Sequence, residues 1–239
     1  MPKKSKMPGT EDETSAKTKN EKLGYNALHL AAPCRYLPIF EYLIQEVKLP
    51  VKKQAANGKQ ELVIHLENNS STKDTSCIDY LIQKGSDINS ADKEGTQAVY
   101  VAAKAQNKEL IDNLVGHGAK LDFATKKGDT PLLALVKARN LILITEMINH
   151  GASINYCDPS GRNCLHWAVN SSDTGSDASN EIENYLLKMK VDFNKKDKHD
   201  RIPLHYAFVK IGSPFNSGEL DPIETVSNIL SQQNVKVNQ

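Results

Sequence analysis

Three histidines, His29, His166 and His205, each follow a leucine in the same short phrase, and two cysteines, Cys157 and Cys164, lie close to the second of them. Histidine is the side chain that moves protons near neutral pH, and thiolates beside an imidazole are zinc ligands. A residue that recurs in step with a motif serves architecture rather than chemistry. The expected role of the three histidines is therefore a bond to a neighbouring unit's backbone at the base of a loop. Cys157, Cys164 and His166 follow a C-x6-C-x-H spacing that fits no common zinc pattern and lacks a fourth ligand. No glycine-rich phosphate loop, serine nucleophile elbow or paired acid motif occurs. The sequence thus predicts no catalytic residue, no metal and no cofactor, in a chain that binds rather than reacts.

The elements that carry these residues follow a period. The stretch Gly128-Asp129-Thr130-Pro131-Leu132 recurs in degraded form, with Gly95 33 residues before Gly128 and Gly161 33 residues after it. A fixed period of that length marks a stacked repeat array. Each unit reads as a turn, a capped short helix and a second, apolar helix that ends at a glycine: Gly85, Gly118 and Gly151 close three of them. Leu110, Ile111, Leu114 and Val115 line one such helix, and Leu143, Ile144, Met147 and Ile148 the next. Each is an apolar face with nothing in its own unit to cover it, so the units must stack. Gly58 precedes Gly95 by 37 residues, which leaves about four extra in the stretch 67–74, and Asp200 follows Gly161 by 39, which leaves six extra in 171–177.

The 239 residues are 39% hydrophobic but only 6% aromatic, which suits a thin, distributed core better than one large one. A net charge of +1 recruits neither nucleic acid nor membrane by itself, so any electrostatic attraction must be local. No apolar run approaches the ~20 residues that span a bilayer, and no signal-peptide core follows Met1-Pro2-Lys3-Lys4. Four cysteines without paired spacing favour reduced thiols, and so an intracellular place, cytoplasmic or nuclear. Residues 1–20 read as a disordered polar tail whose Lys3-Lys4-Ser5-Lys6 is either a nuclear-import signal or merely solvated. The repeats are expected near 21–54, 55–91, 92–124, 125–157, 158–196 and 197–239, in a monomer. No polar cap is recognisable at the C-terminal end, as in a fragment of a longer array.

The repeating phrase resembles the ankyrin repeat, Asp-x-x-Gly-x-Thr-Pro-Leu-His-x-Ala-Ala followed by a second helix, over about residues 20–238; the Leu-His pairs are Leu28-His29, Leu165-His166 and Leu204-His205. The resemblance implies an all-α solenoid of about six helix-turn-helix repeats with projecting β-hairpin loops, and a function in binding other macromolecules. The family threonine is kept only at Thr130, where Leu133 replaces histidine, while Asn26 and Asn163 stand in its place as helix caps. Gln106 and Arg139 replace the usual inter-helix glycine, which predicts strained or rerouted turns. Residues 201–212 with Asp221-Pro222-Ile223-Glu224 also resemble the ankyrin segment of tankyrase-like poly(ADP-ribose) polymerases, which implies the targeting part of an enzyme whose catalytic domain lies elsewhere.

In the ankyrin family the loop tips and the exposed side of the short helices line a concave groove. Aligning the repeats puts Lys93, Lys126, Lys127, Asp129, Arg162, Lys198 and Arg201 at tips and Lys104, Lys137 and Lys210 at helix ends. With Glu94 they make nine basic and two acidic groups, a basic groove on a nearly neutral chain. Such a groove suits an acidic protein segment, or a polyanion such as nucleic acid or poly(ADP-ribose). Tip lysines equally serve to keep a loop soluble. Trp167 and Tyr206 hold equivalent positions on adjacent repeats, either as an aromatic anchor pair or as core.

Overall fold

Short polar side chains cap the start of five helices, and a backbone turn into the left-handed region ends several of them. The computed structural model describes residues 23–170 and 178–211, the side chains of 178–180 and 208–211 excepted. Eleven α-helices lie among the described residues: α1 Ala27–Ala31, α2 Leu37–Glu41, α3 Glu61–Asn68, α4 Ser76–Gln83, α5 Ala98–Lys104, α6 Lys108–Gly116, α7 Pro131–Lys137, α8 Leu141–Asn149, α9 Cys164–Asn170, α10 Ala178–Lys188 and α11 Pro203–Ile211. A π-helical turn, Tyr42–Glu46, continues α2. No strand occurs among the described residues, so the loops between pairs are tight turns. The chain divides into two compact units, Met1–Ala98 and Val99–Gln239.

The caps explain where helices begin. Asn26 accepts the His29 amide at 3.0 Å while His29 Nδ1 accepts the Asn26 amide. Asn163 and His166 repeat this reciprocal box, and Thr130 accepts from Leu133 with Pro131 at the first helical position. An amide donor that would otherwise stay unpaired is satisfied at each site. The asparagines that replace threonine therefore do cap their helices.

The junctions between α5 and α6 and between α7 and α8 are equally economical. Gln106 has φ 54° and Arg139 φ 57°, so each enters the left-handed region without the freedom of glycine. Behind them the amides of Asn107 and Asn140 reach back to Ala102 and Leu135, and the same two asparagines cap α6 and α8 by accepting from Leu110 and Leu143 at 3.1 Å. One residue pays about 1 kcal/mol of strain and its neighbour closes one helix while opening the next. The strain expected at Gln106 and Arg139 is real, and the turns are not rerouted. After α8, Gly151 at φ 95° makes the related closure, its amide on Ile148 and that of Ala152 on Met147.

The core is a string of small layers. In the first unit Leu28, Phe40, Leu62, Leu66, Ile78 and Leu81 are fully buried; in the second, Leu110, Leu114, Leu132, Leu135, Ile144, Met147 and Leu165 are. Burying each contributes about 1.5–3 kcal/mol. The extra residues of 67–74 are braced by buried Asn69, which donates to Pro33 and His65 carbonyls and accepts from Arg35 at 2.8 Å. Residues 1–20, the insertion at 171–177 and everything after 211 lie outside the described residues.

Two sites test this account. A Cβ on Gly128, at φ 80°, falls 1.8 Å from Pro159 Cδ, whereas one on Gly151 meets nothing within 4 Å. Gly128→Ala should cost about 3 kcal/mol or more and Gly151→Ala about 1 kcal/mol in urea unfolding; equal losses would refute the packing role of Pro159. In the first unit Glu61 is fully buried, held by the Ser86 hydroxyl at 2.7 Å, with Oε2 unpartnered. Burial pushes its pKa from 4.5 up to about 7. A carboxyl raised on folding costs nothing below its unfolded pKa and costs most above its folded one. Glu61→Gln should therefore stabilise the protein at pH 8 by about 3 kcal/mol, and the gain should vanish below about pH 4.5; a pH-independent difference between the two melting curves would contradict it.

Candidate partner-binding face of the second unit

The face is built on two loops with the same design. Asp158 Oδ1 accepts the amides of Ser160 and Arg162, and the Asp158 amide donates to the Arg162 carbonyl at 2.9 Å. Asp197 repeats this with the amides of His199 and Arg201 and the Arg201 carbonyl. A carboxylate with one oxygen so engaged still has the other to offer. Asp158 Oδ2 receives Arg162 Nε and Nη2, both at 2.9 Å, and the indole N–H of Trp167 at 3.1 Å. Asp197 Oδ2 receives Arg201 Nε at 3.1 Å and Nη2 at 3.0 Å, and the Tyr206 hydroxyl at 2.6 Å.

These bonds settle the charge state. Burial by itself raises the carboxyl of Asp158, but the Arg162 amide and guanidinium and the Trp167 N–H more than offset that and hold it below the usual range. Asp197 follows the same balance and is depressed further. Burial, then the bond to Asp197, raises the phenol of Tyr206. Each arginine lies over the ring it shares a carboxylate with: Arg162 Cζ is 4.1 Å from the Trp167 centroid, and Arg201 Cζ 4.7 Å from that of Tyr206. Lys137 Nζ adds a second cation over Trp167, at 3.8 Å, and is paired with Asp129.

The expected binding residues thus separate into two sets. Lys137, Arg162 and Arg201 are brought together with Trp167 and Tyr206, each against an internal carboxylate, so they carry little unbalanced charge. Lys104, Lys127 and Lys198 stay exposed with no carboxylate partner among the described residues. Lys126 is exposed, Lys93 is exposed in the first unit, and the side chain of Lys210 lies outside the described residues. A count of nine cations against two acids overstates the face, because it omits Asp158 and Asp197. Trp167 and Tyr206 differ in their surroundings: Trp167 is half-buried with Lys137 and Arg162 over its ring, while Tyr206 is buried and meets His166 edge-on at 5.6 Å.

The sequence reading missed both aspartates and named only the residues around them. Their signal is the spacing Asp-x3-Arg-x4-aromatic, present at Asp158/Arg162/Trp167 and again at Asp197/Arg201/Tyr206. His166 has the structural role expected of it: Nδ1 accepts the Asn163 amide and Nε2 donates to the Arg201 carbonyl at 3.1 Å. Burial lowers its pKa and keeps it neutral. His205 accepts the Ile202 amide at its own helix start and is exposed. His65, outside the Leu-His phrase, does for the first unit what His166 does for the second by bonding the Ala32 carbonyl at 2.8 Å. Burial pushes the Cys164 thiol up to about 12, which makes it a poor nucleophile and a poor ligand.

A family model described as ankyrin repeats (3 copies) matches residues 28–123, 62–155 and 100–197. The chain is 34% identical over 80 residues to mouse ankyrin repeat domain-containing protein 53, a match covering 34% of this chain and 16% of that one. The human protein of that name is 31% identical over 81 residues, covering 34% of this chain and 15% of its own length. The match therefore spans well under a fifth of these curated relatives. A solved ankyrin repeat domain from Acinetobacter baumannii AYE shares the fold at a TM-score of 0.70 and 20% identity, covering 85% of this chain and 96% of that one.

If Asp158 organises its loop, Asp158→Ala should cost about 2–4 kcal/mol, since it leaves two amides, an indole N–H and a guanidinium without their acceptor. Arg162→Ala should cost about 1 kcal/mol. Urea unfolding followed by circular dichroism measures both, and an Asp158→Ala variant as stable as Arg162→Ala would show that the carboxylate is not the organiser.

Proposed function

The chain belongs to the ankyrin-repeat family, and on that premise we propose that its second unit holds an acidic protein segment in the groove beside the braced arginines. Ankyrin repeats imply protein–protein interaction; the identity of the occupant is the proposal. The observation that carries it is the pattern of unbalanced charge, with Lys104, Lys127 and Lys198 exposed in the same unit as Arg162 and Arg201, which are braced over Trp167 and Tyr206. Exposed charges set attraction and encounter rate, while fixed planar groups set fit. The array is taken to run over 21–239 in six repeats behind a polar tail. Four free cysteines, one of them the exposed Cys34, support a reducing, intracellular place. No described helix is long and apolar enough to cross a membrane.

The same cations favour a polyanion as a second reading, and salt separates the two. A nucleic acid or poly(ADP-ribose) loses affinity steeply with salt as counterions are released, whereas a short acidic segment loses less. The reading as the targeting part of a poly(ADP-ribose) polymerase rests on residues 201–212 and 221–224, of which 212 and 221–224 lie outside the described residues, and the relatives matched add nothing to it.

Reversing Arg162 is a poor probe because it also unbraces Asp158. Lys127→Glu with Lys198→Glu is the cleaner variant, and it should weaken a glutamate-rich peptide at least about tenfold while leaving the melting temperature unchanged. Undiminished binding in that variant would rule out this groove as the site.

A further inference from the structure

We infer that Arg162 and Arg201 form a two-rung reader for carboxylates placed three residues apart in a segment of polyproline II form. This rests on the acidic-segment reading above and adds a spacing and a conformation to it.

Each guanidinium is fixed in the same way. Its Nε and Nη2 are both spent on one carboxylate oxygen, of Asp158 or Asp197, and its plane lies over an aromatic ring. Nη1 is left without a partner among the described residues in both, and the side chains are 25% and 46% exposed. An arginine held so has already lost its rotamer freedom, so a partner oxygen meets a donor that needs no ordering. The internal aspartates cancel its net charge. What each rung offers is therefore a directed hydrogen bond rather than a field, and the exposed lysines supply the field.

Two identical rungs impose a ruler. The loops are joined by the Lys198 amide on the Ser160 carbonyl at 2.8 Å, and α9 packs against α11 behind them. Neighbouring packed helices lie about 8–10 Å apart, so equivalent groups on them repeat at about that distance. A β-strand places same-face side chains about 7 Å or 13 Å apart, and neither fits. A polyproline II segment turns once every three residues and rises about 3.1 Å per residue, which returns a side chain to the same edge after about 9 Å. It has no internal hydrogen bonds to break and needs little ordering on binding.

Trp167 is the one tryptophan of the chain and touches the first rung, so its fluorescence reports occupancy directly. Three synthetic peptides of equal length, each with one pair of glutamates, serve as probes, the pair set three (every-third), two (every-second) or seven (every-seventh) positions apart, the last in an alanine-rich helical background. The every-third peptide should bind about tenfold tighter than the every-second one, and Arg162→Lys with Arg201→Lys, which keeps the charge, should bring the two within about twofold. Arg201→Lys alone, at the more exposed rung, should lose part of the preference and guards against a folding defect in the double variant. Equal affinity for the three peptides, a preference for the every-seventh one, or a preference that survives the double variant would overturn the reader while leaving the acidic groove standing. Failure of every acidic peptide to bind would overturn both.

Discussion

A buried carboxylate at the head of a loop is the constraint on which the second unit turns. Asp158 and Asp197 each gather two backbone amides on one oxygen, and so fix the path by which the chain leaves one helix pair and enters the next. Asp92 does the same in the first unit, accepting from Glu94 and Thr96. Where Thr125 stands at this position, its hydroxyl takes only the Asp129 amide, at 3.2 Å, and the loop leans instead on the close approach of Pro159 to Gly128. Because burial opposes the charge on Asp158 and Asp197 and hydrogen bonds overcome it, the loop and the ionised state require each other.

The second oxygen of that carboxylate connects the loop to the side chains around it. It orients an arginine, the arginine covers a ring, and the ring's own N–H or O–H returns to the same oxygen. Closed triangles of this kind are rigid because no member can move without leaving a buried polar group unpaired. They present guanidinium and aromatic groups whose rotamers are already fixed, with each arginine's charge balanced by its aspartate. His166 adds stiffness: it ties its helix start to the neighbouring Arg201 carbonyl in the neutral form that burial dictates.

Charge is where composition and geometry part most clearly. Read along the chain, Lys137, Arg162 and Arg201 belong with the other tip and helix-end cations. In three dimensions each faces an aspartate at four or eight residues' remove, and the unbalanced charge falls to a few exposed lysines. A pairing at four residues is visible in sequence once the loop geometry is known, but nothing in residue types says whether Asp158 points at Arg162 or at water. In the same way the equivalence of Trp167 and Tyr206 was legible, and their different burial was not. Trp167 carries two stacked cations, whereas Tyr206 lies edge-on against His166.

By itself the sequence determined the 33-residue period, and within it the helix pairs, the caps at Asn26, Thr130 and Asn163 and the left-handed turns at Gly85, Gly118 and Gly151, because within each repeat these depend on residues a few positions apart, whereas the left-handed Lys48, Lys190 and Asp200 carry no such signal. A 33-residue repeat of apolar faces that cannot be covered locally leaves stacking as the solution, and the all-α ankyrin fold follows. Tertiary structure decided the rest. It alone turned a buried glutamate at Glu61 into a group that titrates near neutrality, set Pro159 against Gly128, and converted a string of basic residues into braced arginines and exposed lysines. The reason is physical: burial, close approach and competition for a carboxylate's two oxygens are properties of surroundings, and surroundings exist only once distant stretches have packed together.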